Sequence, residues 1–318
     1  MRSVLVTGAA GFLGSHLCDA LLKSGSTVYG IDNFCTGNMQ NISHLTDEKN
    51  FQFVESDISK GIPVDLKIKF DQIYHLASPA SPPKYLALPI ETMHVNTNGT
   101  EHLLNHIHEF GGRLLFASTS EIYGDPLEHP QSESYWGNVN PIGPRSVYDE
   151  AKRYGETLLS QYARAGWADT AIVRIFNTYG PRLDPDDGRV ISSFLRNGIL
   201  NKPLEIYGDG TQTRSFCYVD DLIAGLIATM ESGLPGPVNL GNPNEFTLLE
   251  LVDQVGTVLQ IEPELLFKPL PENDPRMRKP NIHLAKTALN WEPQVELNEG
   301  LTRTAEWMKR ELKSRNLG

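Results

Sequence analysis

The chain has little of what marks secreted, membrane-spanning or nucleic-acid-binding proteins. It holds 3 cysteines in 318 residues: Cys18, Cys35 and Cys217. An odd number without metal-ligand spacing gives no disulfide framework, so a reducing compartment is expected. No apolar run approaches the ~18 residues a membrane span requires. The opening MRSVLVTG leaves no room for the apolar stretch of a signal peptide. A cytoplasmic location is therefore expected. Positive charge is scarce too, with 28 Lys and Arg against 39 Asp and Glu and a net charge of −11. That balance argues against nucleic acid or an anionic membrane as main partner. It leaves room for an anionic small molecule where arginines converge. The 9 histidines show no spacing such as H-E-x-x-H, and no metal is expected. His94, His102, His106 and His108 share one helical stretch and read as surface or interface residues.

What the chain does have is length and alternation. Its 318 residues, 40% hydrophobic and 21% charged, suffice for a sizeable globular core. Short apolar runs at 3–8, 27–32, 51–56, 71–77, 113–118 and 170–176 read as strands. Helical patterns fall between them at about 12–23, 92–110 and 146–165. Such alternation predicts an α/β fold, a Rossmann-type doubly wound parallel sheet with helices on both faces. After residue 177, Pro and Gly become frequent, as in YGPRLDPDDG and GLPGPVNLGNPN. Thr247 and Glu250 fit a capping box there. The expected division is a dinucleotide-binding domain over 1–177, to which about 213–232 returns, and a smaller α/β substrate-binding lobe over 178–318.

VLVTGAAGFLGSHL sets Gly8, Gly11 and Gly14 in a G-x-x-G-x-x-G array between a strand and a helix. Backbone amides in such a turn can approach a pyrophosphate, and the helix N-terminus favours negative charge. Glycines alone are weak evidence. Here the second strand also ends in a carboxylate, Asp32, 18 residues after Gly14. A carboxylate there accepts both ribose hydroxyls and repels a 2′-phosphate, which favours NAD over NADP. The bland alternative is a structural turn followed by a loop aspartate. Asp57, ending the third strand, reads equally as an adenine contact or a solvated turn residue.

The strand RLLFAS emerges directly into Ser118, Thr119, Ser120 and Glu121. Ligands bind at the carboxyl edge of parallel sheets, so this abrupt change marks a site rim. Downstream, Tyr148 and Lys152 in YDEAK lie four apart on one predicted helical face, where an ammonium is expected to lower the phenol pKa. A phenolate so stabilised takes a proton from a substrate hydroxyl. Taken alone the spacing is weak, since 11 tyrosines produce roughly 0.4–0.5 such pairs by chance.

GAAGFLG, STSEIYG, YDEAK and FNTYGPR together resemble the extended short-chain dehydrogenase/reductase family that remodels nucleotide sugars, across nearly the whole chain. HLASPASPPKY, ESYWGNVNPIGPRSVYDEAKR, GDGTQTRSF and DPRMRKPNI narrow the resemblance to its UDP-glucuronate-decarboxylating branch. The resemblance implies NAD, held by Gly8, Gly11, Phe12, Leu13, Gly14, Asp32, Asn33, Thr36, Gly37, Asp57, Ile58, Leu76, Ala77, Ser78, Asn96 and Ser118 with Tyr148 and Lys152. It assigns Thr119 to the sugar O4 beside Tyr148, and Ser120 and Glu121 to the sugar ring and its carboxylate. Asn177, Arg189 and Arg214 match residues that hold the UDP diphosphate. Tyr85 and Tyr207 join the UDP-sugar contacts, and Arg278 matches an arginine near the sugar and phosphate end. Arg276 departs from the family pattern. Arginine binds phosphate oxygens bidentately, which supports an anion site independently; separate surface arginines are the alternative. Lys84 and Tyr85 read equally as substrate contacts or as a loop lysine and a packing tyrosine. A homodimer through a four-helix interface is implied by the resemblance.

The implied reaction converts UDP-glucuronate to UDP-xylose through a C4 ketone, with Tyr148 as acid and base and NAD regenerated. Competing readings are a 4-epimerase or 4,6-dehydratase of the family, and an oxidative decarboxylase that releases UDP-4-keto-pentose and NADH. A non-catalytic NAD-sensing module would be expected to lose Tyr148 or Lys152, and both are present.

Overall fold

The computed structural model describes residues 1–269 and 277–316. The chain opens β1 (Ser3–Thr7), α1 (Phe12–Lys23), β2 (Thr27–Asp32), β3 (Phe51–Glu55) and β4 (Gln72–His75). Two short helices follow, α2 (Pro82–Ala87) and α3 (Pro89–His94), then α4 (Thr100–Phe110), β5 (Arg113–Thr119), α5 (Ser146–Arg164) and β6 (Asp169–Ile175). The remainder mixes β7 (Thr178–Tyr179), α6 (Val190–Ile199), β8 (Leu204–Tyr207), β9 (Thr213–Ser215), β10 (Cys217–Tyr218) and α7 (Val219–Ser232). It continues through β11 (Val238–Leu240), β12 (Glu245–Thr247), α8 (Leu248–Leu259), β13 (Leu265–Lys268), α9 (His283–Leu289) and α10 (Leu297–Ser314).

Seven strands form one parallel sheet in the order β11-β6-β5-β4-β1-β2-β3. The pleat sends alternate residues to opposite faces. Val4, Val6, Leu115 and Val173 join the core that includes α1 and α7, while Leu5, Leu114, Phe116 and Ile172 join the core with α4 and α5. Apolar residues at every position of the central strands are thus explained, because both faces are covered. All seven carboxyl ends point the same way, and the site forms along that edge. The other strands make two-stranded ribbons, β10 with β7, β12 with β9 and β13 with β8.

Several details refine the sequence pattern. The helix expected over 92–110 is interrupted at Val95–Gly99 by a π-helical turn. There the Asn96 Nδ2 donates to Ser78 Oγ at 2.9 Å and to the Thr92 carbonyl at 2.8 Å. Residues 213–232 bring no strand to the large sheet; α7 packs against it, and the strand that joins β6 is β11. His106 is buried rather than superficial, because its Nε2 meets the Ile68 carbonyl at 2.9 Å and its ring packs on Phe70 and Phe110. The capping box is formed: Glu250 N donates to Thr247 Oγ1 at 3.1 Å, and Thr247 N to Glu250 Oε2 at 2.7 Å. Arg276 lies outside the described residues.

Helix α5 carries Tyr148 and Lys152, and its seat on the sheet depends on a missing side chain. A Cβ on Gly155 would come 2.5 Å from Phe116 Cζ. In an exposed helix Gly→Ala stabilises by up to about 1 kcal/mol. Here the sign should reverse: Gly155→Ala is expected to lower Tm in thermal unfolding, and a raised Tm would show that α5 does not rest on Phe116.

Candidate active site

The strand β5 ends at Thr119, whose backbone is extended, and the chain then turns through Ser120–Tyr123. Thr119 Oγ1 accepts from the Glu121 amide at 3.2 Å, which caps that turn. The polar run after a buried strand therefore has a local cause as well as a place at the sheet edge. A cavity of about 930 Å³ lies along this edge. Its walls include Gly8, Gly11, Phe12, Leu13, Gly14, Thr36, Gly37, Leu76 and Ser78 at one end. Ser118, Thr119, Ser120, Glu121, Tyr85, Tyr148 and Lys152 also line it, with Asn177, Arg189, Tyr207, Arg214 and Arg278 from later in the chain. Asp32, Asn33, Asp57, Ile58, Ala77 and Asn96 are not among the residues that line it.

Tyr148 is buried and stacked on Tyr85, with ring centroids 5.0 Å apart and planes 3° from parallel. Burial raises its phenol pKa, a hydrogen bond with Thr119 lowers it, and Glu121 raises it further. The net shift is upward, against the expectation from sequence that Lys152 lowers it. The reason is desolvation, which also drives the Lys152 ammonium down to about 7. Lys152 Nζ donates to the Ala117 carbonyl at 2.7 Å and stands 5.7 Å from the Tyr148 ring centroid. It thereby ties α5 to β5 under the tyrosine.

Glu121 is the most constrained charge in the site. Burial opposes its ionisation, but Arg278 and then Arg145 outweigh that, pulling the carboxyl down to about 2. Both Arg278 terminal nitrogens donate to it, Nη2 at 3.2 Å from Oε2, and Arg145 Nη2 pairs with the same oxygen. The three groups carry one net positive charge. Glu121 is thus neither a free repelling carboxylate nor a store of protons at neutral pH. Next to Tyr148, Asp149 behaves oppositely. Burial and then Glu121 push its carboxyl up to about 7, and its Oδ1 has no hydrogen-bond partner among the described residues.

At the glycine end the residues fit NAD. Gly8 has φ +74°, and a Cβ on Gly14 would lie 2.0 Å from the Gly8 carbonyl oxygen, so the turn admits only bare backbone. Asp32 ends β2 and accepts from Ala10 N at 3.0 Å and Phe34 N at 2.8 Å. Burial raises its carboxyl pKa, partly offset by these amides. A Cβ on Gly37 would lie 2.8 Å from either Asp32 oxygen, so that approach stays open. Asn96 Oδ1 is a buried acceptor without a partner among the described residues. Asp57 caps the turn after β3, accepting from Ser59 N at 3.0 Å. Just before α6, Arg189 is chelated by Asp187, at 2.6 and 3.0 Å. Arg214 Nη1 donates to the Thr213 carbonyl at 2.9 Å.

Sequence pattern did not single out Arg145, although it stands three residues, one helical turn, before Tyr148. It also missed Trp307 and Glu311 on α10 and Arg315 at its C-cap, cavity-lining residues four apart in sequence. Lys84 reaches Asp184 at 3.7 Å across the cleft. Among the described residues no three His, Cys, Asp or Glu side chains are placed to hold a metal ion, and no helix is long and apolar enough to cross a membrane.

With this geometry in place, similarity to known proteins is informative. The sequence profile of the NAD dependent epimerase/dehydratase family matches residues 4–241. UDP-glucuronic acid decarboxylase 1 of Arabidopsis thaliana is 52% identical over 300 residues, covering 94% of this chain and 68% of the relative. The protein of that name from Danio rerio is 47% identical over 311 residues, covering 98% and 73%. Among solved structures, UDP-glucuronic acid 4-epimerase from Bacillus cereus, in complex with UDP-glucuronic acid and NAD, aligns with a TM-score of 0.87. It is 32% identical, over 97% of this chain and 99% of that one.

The neutral form of Asp149 has a measurable consequence. An acid whose folded pKa is raised contributes stability that is present below its unfolded value of 3.8 and lost as pH rises through about 7. Asp149→Asn cannot ionise. Its Tm should gain on wild type progressively between pH 4 and pH 8; a difference independent of pH would show that Asp149 is charged throughout.

Proposed function

The chain belongs to the NAD dependent epimerase/dehydratase family, and from that membership we propose that it decarboxylates UDP-glucuronate to UDP-xylose. The observation that carries this choice of reaction is the near-full-length similarity to curated UDP-glucuronic acid decarboxylases. The site supports the chemistry. When bound, NAD supplies the reversible hydride acceptor for C4 and a positive charge that favours the tyrosinate.

Tyr148 accepts the C4 hydroxyl proton, and the Thr119 hydroxyl beside it orients that oxygen. With C4 a ketone, C6 becomes the carboxylate of a β-keto acid, so carbon dioxide leaves as electrons pass into the carbonyl. The cluster of Glu121, Arg145 and Arg278, positive by one charge, receives the anionic end of the sugar and stabilises the enolate. Glu121, ionised far below neutrality, orients the arginines and a solvent molecule rather than donating the C5 proton itself. Tyr148 returns its proton to O4 as the ketone is reduced. Arg189, Arg214 and Asn177 hold the diphosphate, with Tyr207 at the rim and Tyr85 backing Tyr148. A 4-epimerase is the second reading, favoured by the solved neighbours.

We further propose a homodimer. Leu86, Ile90 and Met93 on α2 and α3, and Tyr154 on α5, are exposed apolar side chains on neighbouring helices, as an isologous four-helix contact would use. The three free cysteines, two of them buried, support a reducing, cytoplasmic setting.

Incubation with UDP-glucuronate and substoichiometric NAD should release carbon dioxide and give UDP-xylose by NMR, with little NADH absorbance at the end. UDP-galacturonate without gas would establish the epimerase instead, and stoichiometric NADH with a keto-sugar the truncated reaction. Tyr148→Phe should cost on the order of 10²–10⁴ in kcat while UDP binding persists. Glu121→Gln should let C4 oxidation proceed but stall decarboxylation or C5 protonation, so that NADH absorbance accumulates. For assembly, Ile90→Glu is expected to convert the dimer to monomer in sedimentation; an unchanged mass would remove this face from the interface.

A further inference from the structure

Arg278 holds Glu121 from a segment, residues 277–281, that belongs to no helix and to none of the named strands. An arginine on such a segment needs its backbone fixed from outside. We propose that Gln131 is the positioning residue that fixes Arg278 against Glu121, by gripping the three residues that follow the arginine.

Gln131 is fully buried, and each of its polar groups is engaged. Its amide donates to the Lys279 carbonyl at 2.9 Å, and its own carbonyl accepts from the Asn281 amide at 2.8 Å. Its side-chain Oε1 accepts from the Lys279 amide at 2.9 Å, and Nε2 donates to the Glu128 carbonyl at 2.8 Å. The side chain thus completes a ladder around Pro280, which has no amide to contribute. The grip is itself anchored. Asn239, on the edge strand β11, donates through Nδ2 to the Gln131 carbonyl at 3.0 Å and the Asn281 carbonyl at 3.2 Å. Asn239 Oδ1 accepts from the Tyr123 hydroxyl at 2.8 Å, and that hydroxyl accepts from Arg174 at 2.9 Å. Arg174 is chelated by Glu156 of α5, whose carboxylate also accepts from Ser118 at the end of β5. The path runs from the strand that ends in Thr119, through buried polar groups, to the residue after Arg278. Ser215 adds one bond to the Arg278 carbonyl at 3.3 Å.

Losing the Oε1 acceptor strands a part-buried amide one residue from Arg278, and the segment relieves it by shifting toward another acceptor or solvent. A sub-ångström shift suffices to break a chelate whose geometry is set by two nitrogens and two oxygens. The kinetic side of this inference rests on the decarboxylase reading; the grip itself does not.

The test compares wild type, Gln131→Met and Gln131→Glu. Methionine keeps the volume and removes both side-chain bonds. A protonated glutamic acid keeps both, its hydroxyl donating to Glu128 and its carbonyl accepting from Lys279. Hydrogen exchange by mass spectrometry should show faster exchange of the 277–281 amides in Gln131→Met, with Tm within a few degrees of wild type. Its kcat for decarboxylation should fall by about 10- to 100-fold with Kd for UDP within about 3-fold. Gln131→Glu should recover activity, measured as a ratio to wild type, as pH falls. Unchanged exchange at 277–281 overturns the grip whether or not the protein decarboxylates anything. Wild-type kcat in Gln131→Met, or a loss that tracks Tm and is not restored by glutamic acid at low pH, overturns the positioning role. A wild type that makes no UDP-xylose removes the decarboxylase reading and leaves exchange as the measure of the grip.

Discussion

A carboxylate at the buried end of a strand can stay ionised only if positive charge is brought to it. Glu121 receives two arginines from further along the chain, one 24 and the other 157 residues away. Arg145 arrives at the N-cap of α5, and Arg278 on the segment before the C-terminal helices. Much of the surrounding architecture follows from delivering those two groups. The close seat of α5 on Phe116 sets the height of Arg145 together with Tyr148 and Lys152. The polar chain through Arg174, Tyr123, Asn239 and Gln131 sets the position of Arg278. The ion cluster joins the turn after β5, the start of α5 and residues 277–281 at the cavity wall, so three distant parts of the chain must meet before it forms.

Local structure was legible where its cause was local. The limits of α1 and α5 agree with sequence within a residue, because glycines and helical periodicity mark them. Thr247 and Glu250 cap α8 as their spacing predicts. The strand run into Thr119 marked the rim because parallel sheets bind ligands at that edge. What sequence pattern missed depends on distance along the chain. Glu121 and Arg278 are 157 residues apart, and Gln131 is 148 from Lys279. No window of sequence contains either pair.

Other departures come from burial, a property of three dimensions. The i, i+4 spacing brought Tyr148 and Lys152 to one face, as expected. The sign of the effect on the phenol differed because both groups are desolvated, and each is pushed toward neutrality. His106 reads as a surface residue until its carbonyl partner, 38 residues away, is known. The π-helical turn at Val95–Gly99 keeps the helical repeat nearly intact, so periodicity passes over it, although it aims Asn96 toward Ser78 at the cavity wall.

The last strand of the large sheet carries a consequence for synthesis. β11 closes the edge of β6 only after residues 176–237 have been made, a stretch that includes α6, β8 and α7. During translation, β6 therefore waits with an open row of amides and carbonyls, a template for wrong pairing, until residue 240 has cleared the ribosome. Asn239 sits on that same short strand. The nascent protein thus protects its exposed edge and gains the anchor for Arg278 in a single step. Slow translation through 176–237 lengthens the interval in which neither is in place.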